Sequence, residues 1–391
     1  MDNEKLTETG YSISRTASSI EPTRMNKKAQ SAHPGCRFRI VRGMMMRWQV
    51  FVSVAAFLLL IAAADAQEVR DEGDSATWRF EFANDAVFDS DNQFTNGFAL
   101  QKHGPIASSL VATTGTAALG KSLARMFLPD TEGLHYREAW AFGQSMQTPD
   151  QIEIPTLILD DVPYLGMIGW INSFIAFDDR RMTGFGWMAG LVGPNSFAED
   201  VQKAFHRVSG ATDPQGWDHQ LDNEPVLSFF YTKKRKFVRK SGFDGAVAFN
   251  AAASNFISYG ELAMEFRFGR MPQGFAYVPD PIGRGLNYHA VIPERNRTAI
   301  YGSIIARVTG LLVNMPMEGN TFIDDNPWTE LNTIEAEDFI SQVFVGLNFE
   351  RPKWALRFHV WFSTDSVKLE TLQTTEDAQN NAGTITFEWR F

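Results

Sequence analysis

The sequence runs to 391 residues, with 36 Lys and Arg against 46 Asp and Glu, a formal net charge of −10 and one cysteine. That acidic balance excludes nucleic acid as a partner, and a lone cysteine excludes a disulfide framework. The length suits one large domain or two ordinary ones, and no Gly/Ser-rich or Pro-rich linker and no solenoid-type repeat divides it.

Residues 1–66 read as a leader that is removed. Arg37, Arg39, Arg42 and Arg47 form a basic flank, an apolar run extends from Val50 to Ala64, and Ala64-Asp65-Ala66 has the small-x-small form of a cleavage site. The run is short for a membrane span, which favours export over anchoring. Met44, Met45 and Met46 stand just before it as alternative starts, and Cys36 lies in the discarded part.

From Gln67 onward the chain alternates. Trp354, Leu356, Phe358, Val360 and Phe362 oppose Lys353, Arg357 and His359; Leu262, Met264, Phe266 and Phe268 oppose Glu261, Glu265 and Arg267. A period of two marks strands with one apolar and one polar face. Thr384–Phe391 sets Ile385, Phe387, Trp389 and Phe391 against Thr384, Thr386, Glu388 and Arg390. An exposed strand of this kind invites aggregation in water, whereas in an outer-membrane barrel it anchors at the interface and closure removes the free edge. A terminal Phe in this alternation is also the signal read by the barrel-assembly machinery.

The expected fold is therefore all-β: a transmembrane antiparallel β-barrel over residues 67–391, monomeric, in the bacterial outer membrane, with about twelve strands and short helices in its loops. The strands fall near 77–85, 93–103, 135–147, 165–178, 180–193, 223–236, 239–252, 258–270, 298–313, 334–350, 351–365 and 381–391. Connections after odd-numbered strands share the rim opposite both termini, which faces outward. Two inner connections are long: 104–134, helical through Ala117–Phe127, reads as a short plug or periplasmic cap, and 271–297 reads as irregular from its Pro and Gly content.

Chemistry gathers at the outer rim. Parity turns Arg79, Glu81, Ala83 and Asp85 inward on the first strand, and Thr95, Gly97, Ala99 and Gln101 inward on the second, with Asn84 and Asn96 adjacent. The connection 194–222 carries a short helix: Ser196 and Glu199 have capping-box spacing, Val201, Phe205 and Val208 form a packing stripe, and Glu199, Gln202 and His206 form a neighbouring polar one. Carboxylate, hydroxyl and amide oxygens of this kind suit a hard cation such as calcium better than zinc. Each residue also has a plainer reading: a loop histidine, a turn Asp or Asn, a Thr favoured in strands. Arg79 and Lys102, taken as inward-facing, either meet phosphates or pair with lumen carboxylates.

Taken together and in order, Phe82-Ala83-Asn84-Asp85, Phe94-Thr95-Asn96-Gly97, Gly143-Gln144 with Thr148-Pro149, Asp160-Asp161 with Pro163-Tyr164, Gly193-Pro194, Gln202 with His206, and Gly216-Trp217-Asp218 through Asn223-Glu224-Pro225 resemble the lipid A 3′-O-deacylases of the outer membrane, the LpxR family. The resemblance covers roughly residues 78–232. It implies a calcium-dependent hydrolase that removes the 3′ acyloxyacyl chain of lipid A, and so modifies lipopolysaccharide, at the outer leaflet. On that pattern His206 is the general base, Asn84 and Asp85 belong to the catalytic group, and Asp85 and Thr95 hold the metal. The chain departs from the pattern at Ala83, where the family has an acidic residue, at Phe94, where it has Tyr, and at Val162, Leu165 and Met167. The alternatives are a serine-type outer-membrane phospholipase using His359 as base, without a Gly-x-Ser-x-Gly elbow, and a non-catalytic pore or structural barrel.

Overall fold

The computed structural model describes residues 76–85, 93–113, 118–279, 283–286, 288, 290–292, 298–371 and 379–390. The expected leader and the terminal Phe391 lie outside these residues. Strands β1 (Thr77–Asn84), β2 (Gln93–His103), β3 (His135–Thr148), β4 (Leu165–Phe177), β5 (Arg181–Val192), β6 (Glu224–Lys240), β7 (Phe243–Ser254) and β8 (Ile257–Arg270) follow one another in an antiparallel meander. A two-stranded hairpin, β9 (Gln273–Gly274) and β10 (Val291–Ile292), interrupts it. The meander resumes with β11 (Ala299–Asn314), β12 (Phe339–Glu350), β13 (Trp354–Ser363) and β14 (Ala382–Arg390). β14 pairs with β1, so twelve strands close into a barrel. All twelve coincide with the alternating segments of the sequence. β12 begins at Phe339 and not near 334 because Ile334 is drawn into the apolar cluster at the outer rim and Ala336 bridges Val367.

Parity works as physical chemistry requires of a wall between lipid and lumen. Leu227, Phe249, Leu262, Ile304, Leu347 and Phe358 point outward and stay exposed, forming the apolar band that hydrocarbon covers. No helix among the described residues is long and apolar enough to cross a membrane; the strands do so. At the rim carrying both chain ends, Trp78 meets Trp140 edge-on at 5.3 Å and stacks with Trp389 at 6.3 Å, an interfacial aromatic belt. Lys102, even-numbered like the outward Phe98 and Leu100, lies on this side with its ammonium 5.6 Å from the Trp78 ring, which corrects the inward reading.

The lumen is filled. Its half nearest the chain ends holds buried ion pairs: Arg79 with Glu388 at 2.8 Å, Arg357 bridging Glu388 (2.5 Å) and Glu350 (2.9 Å), and Arg267 with Asp244 at 2.6 Å. Arg79 thus pairs with a lumen carboxylate and is 1% exposed. The 271–297 connection, expected only to be irregular, enters this space as a plug. Phe275, Ala276 and Tyr277 are buried, and the Tyr277 ring lies 4.6 Å from the Arg79 guanidinium and 5.2 Å from that of Arg357. Its hydroxyl donates to Glu81 and accepts from Thr386 at 3.2 Å. Towards the outer rim Met167, Met188, Phe230, Phe256 and Leu286 form an apolar layer.

The 104–134 connection neither plugs the barrel nor caps it. Its helix (Ala118–Phe127), the wall helix, lies on the outer wall over β3–β5. The cause is a gap in the wall's outward side chains that small residues fit: a Cβ on Gly120 would come within 2.9 Å of Asn172 Oδ1 and 3.4 Å of the Phe174 ring, and Ala124 is wholly buried. Phe127 stacks on Phe185 at 4.5 Å.

Candidate functional site

The site is built where β1, β2 and β3 reach the outer rim. At the end of β1, Asn84 and Asp85 are buried, Asp85 completely. Asn84 Nδ2 donates to the Thr95 carbonyl at 2.8 Å, which fixes the amide and turns its Oδ1 to the opposite side. The β2–β3 register slips between Phe94 and Asn96, a bulge that places an extra residue in β2 and re-aims the side chains around it. Phe94 folds into the lumen against Trp361 at 5.7 Å, in a cluster with Ala83, Ile305 and Phe344. Thr95 then turns outward and its hydroxyl pairs with that of Thr148 at 2.8 Å. Strict parity had assigned Thr95 to the lumen. The bulge overturns that and sets the hydroxyl on the lipid side of the wall.

The histidine arrives on a second element of the same side. The rim helix (Ala198–Ser209) begins against the outward face of β4, because Gly166 lacks a side chain: a Cβ there would come within 2.1 Å of Ser196 Oγ and 2.3 Å of Ala198 Cβ. Gln144 on β3 holds the approach by donating to the Ser196 carbonyl at 2.5 Å. Ser196 is therefore a packed contact and not an N-cap. The cap is Phe197 in a left-handed conformation, φ 59°, without a side-chain bond. The expected division of faces holds only in part: Val201 packs against the apolar cluster beneath the helix, but Val208 is 82% exposed while Gln202 and His206 are buried at 1% and 5% exposure. Gln202 accepts a bond from Trp217 Nε1 at 2.7 Å, and Trp217 packs against Tyr164, 5.0 Å between rings. This outward cluster, with Met146 and Ile152, explains why Trp217 and Tyr164 are packing residues.

Two contacts define the histidine. Its Nδ1 lies 2.5 Å from the Thr212 carbonyl; a carbonyl only accepts, so Nδ1 carries a proton, and in the neutral ring the lone pair sits on Nε2. The Phe205 ring beside it lies 6.2 Å from Phe82, which is three residues before Asp85. The rim helix is thereby held over the outer end of β1. Behind the site, Asp161 accepts from the N–H groups of Asp150 at 2.9 Å and Val162 at 2.7 Å, and burial pushes its carboxyl up to about 6.

Among the described residues no three His, Cys, Asp or Glu side chains cluster as metal ligands. Asp85 is fully buried one residue beyond Asn84, and carboxylate, amide and hydroxyl oxygens of the kind that Asp85, Asn84 and Thr95 carry are those that calcium accepts. The donor set fits calcium in kind.

The serine alternative has a local basis that parity did not expose. Ser303 Oγ lies 3.4 Å from His359 Nε2 and accepts from Asn348 Nδ2 at 3.3 Å, because Gly346 leaves room for the imidazole. All three residues are buried deep in the lumen at 2% exposure or less, with the Tyr277 ring 5.4 Å from the imidazole.

Comparison with known proteins agrees with this architecture. A family model described as outer membrane protein LpxR matches residues 50–391. Among solved structures, LpxR from Salmonella typhimurium superposes with a TM-score of 0.62 at 12% identity, over 81% of this chain and all of that one, which shows a shared fold. The KdgM porin (TM-score 0.31, 5% identity, 81% of this chain and 99% of that one) and the translocator domain of the autotransporter NalP from Neisseria meningitidis (0.36, 8%, 88% and 97%) are too distant to carry an argument. No protein of curated function matches the sequence.

Proposed function

Because this chain belongs to the LpxR family of outer membrane proteins, we propose that it is a lipid A deacylase that hydrolyses the ester of the 3′ acyloxyacyl chain in the outer leaflet. The supporting observation is the outward turn of the site. The bulge brings the Thr95–Thr148 pair, and Gly166 brings the rim helix, to the lipid side of the wall at the outer rim. That is the height at which the ester bonds of a lipid A molecule packed against the barrel lie.

In this reading the Nε2 lone pair of His206, held by the Nδ1 bond to Thr212, takes a proton from water as the water oxygen attacks the ester carbonyl. The tetrahedral intermediate collapses to free fatty acid and the sugar hydroxyl, the imidazolium returning its proton to the leaving alkoxide. Asp85, with Asn84 and Thr95, would hold a calcium ion, which when bound polarises the ester carbonyl and stabilises the oxyanion. Burial of Gln202 and His206 beside Trp217 keeps the imidazole from rotating away.

The test is mass spectrometry of lipid A incubated with the refolded protein, with calcium and with a chelator. Loss of the 3′ acyloxyacyl mass only with calcium is the expected result. Loss in both tubes removes the metal from the reading, and phospholipid cleavage abolished by Ser303→Ala would transfer the activity to the lumen serine.

A further inference from the structure

The wall helix serves neither the barrel closure nor the reaction, yet its three faces are sharply different. One face, centred on Gly120 and Ala124, lies on the wall. Helical steps of three and four place Lys121 and Arg125 together on one flank, and Leu119, Leu123 and Met126 together on the other. The basic flank is tied towards the rim that carries the chain ends: Lys121 Nζ donates to the carbonyls of Val111 and Thr113, in the segment that leaves β2 there. The apolar flank is thereby turned up the wall into the hydrocarbon. Met126 is 75% and Leu119 68% exposed.

The wall underneath is polar, which lipid does not tolerate. Glu138 and Asn172 are outward by parity, and Asn172 Nδ2 donates to Glu138 Oε1 at 3.3 Å with Thr113 near the second oxygen. An uncovered carboxylate facing hydrocarbon is strongly disfavoured. The helix covers it and continues the apolar band of the strands. Its height is set by Trp140, the register partner of Asn172 and a member of the aromatic belt.

We propose that the wall helix is an interfacial, lipid-binding helix of the periplasmic leaflet: Leu119, Leu123 and Met126 sit among phospholipid acyl chains, and the exposed Arg125 meets an anionic headgroup phosphate. The surface fits lipid because it is continuous with the barrel's lipid-facing band and carries its charge on the flank nearest the water.

In the full chain with Cys36→Ser, nitroxide labels are placed at Met126→Cys, at Arg125→Cys and, as an aqueous reference, at Glu370→Cys. Each is reconstituted in vesicles of phosphatidylethanolamine and phosphatidylglycerol. The Met126 label is expected to be several-fold more accessible to oxygen than to an aqueous nickel chelate, the Glu370 label the reverse, and the Arg125 label in between. Native mass spectrometry is expected to show fewer retained phosphatidylglycerol molecules in Arg125→Glu, with barrel migration on gels unchanged. A Met126 label as open to nickel as Glu370, or shielded from both reagents, overturns the proposal, as does full lipid retention by Arg125→Glu.

Discussion

At the scale of single residues, His206 is the side chain on which the proposed chemistry turns. Replacing it with Gln preserves volume and removes the base, so deacylation is expected to fall by about 10²- to 10⁴-fold, the usual worth of a positioned general base, while the protein still shows the gel shift of a folded barrel. Retained activity would move the base elsewhere. Asp161 gives a pH signature. Its carboxyl is pushed up to about 6 by burial, above the unfolded value near 3.9, so the folded loop favours the protonated form; stability is highest below about pH 4 and declines as pH rises towards 6, with the full penalty beyond. Amide protection at Asp150 and Val162 should be lower at neutral pH than at pH 4.5 after correction for intrinsic exchange. Equal protection would show that the charge is relieved by other means. Motif order singles out the candidate residues in the sequence, but it does not carry their facing. Parity predicts a side only while the ladder is regular, and the slip between Phe94 and Asn96 reversed Thr95 at the position where direction decides function.

Among elements, the rim helix depends on a glycine outside itself. Gly166→Val is expected to leave the twelve-strand ladder intact, since Val suits a strand, but to push the Ser196–Ala198 approach away from β4. Deacylation should fall by at least about tenfold, which corresponds to ~1.4 kcal/mol or more, with unchanged heat-modifiable migration. Wild-type rates would mean that the helix docks without that contact. Most strand spans were readable to within a residue or two because the period of two persists through them; β6 runs on to Lys240 and β7 starts only at Phe243, past the expected 236 and 239, where the ladder slips between Lys236 and Val238. The two long inner connections were not, for the same reason: their residues answer to partners far away in sequence. Gly120 fits a gap made by Asn172 and Phe174, and Tyr277 is placed by Arg79 and Arg357, contacts with no local periodicity.

For the whole molecule the filled lumen bears on whether the barrel conducts. Two cavities in the lumen hold about 60 and about 30 Å³, room for a few waters each. Planar bilayers containing the protein are expected to show no steady conductance, whereas deletion of 273–292 should open one; steady current through the intact chain would contradict the sealed interior. Barrel closure itself was legible from an even strand count and an alternating last strand. The seal was not.

That seal also fixes an order of events. Tyr277 bonds at once to Glu81 on the first strand and Thr386 on the last, so it is the clasp on the seam where the cylinder shuts. It can engage only after residues more than three hundred positions apart have met, and it must release before they part. A chain with Tyr277→Phe should therefore zip shut later and peel open sooner along β1 and β14 than anywhere else, which time-resolved gel mobility and exchange at that seam would record; uniform opening around the ring would place the weakest join elsewhere.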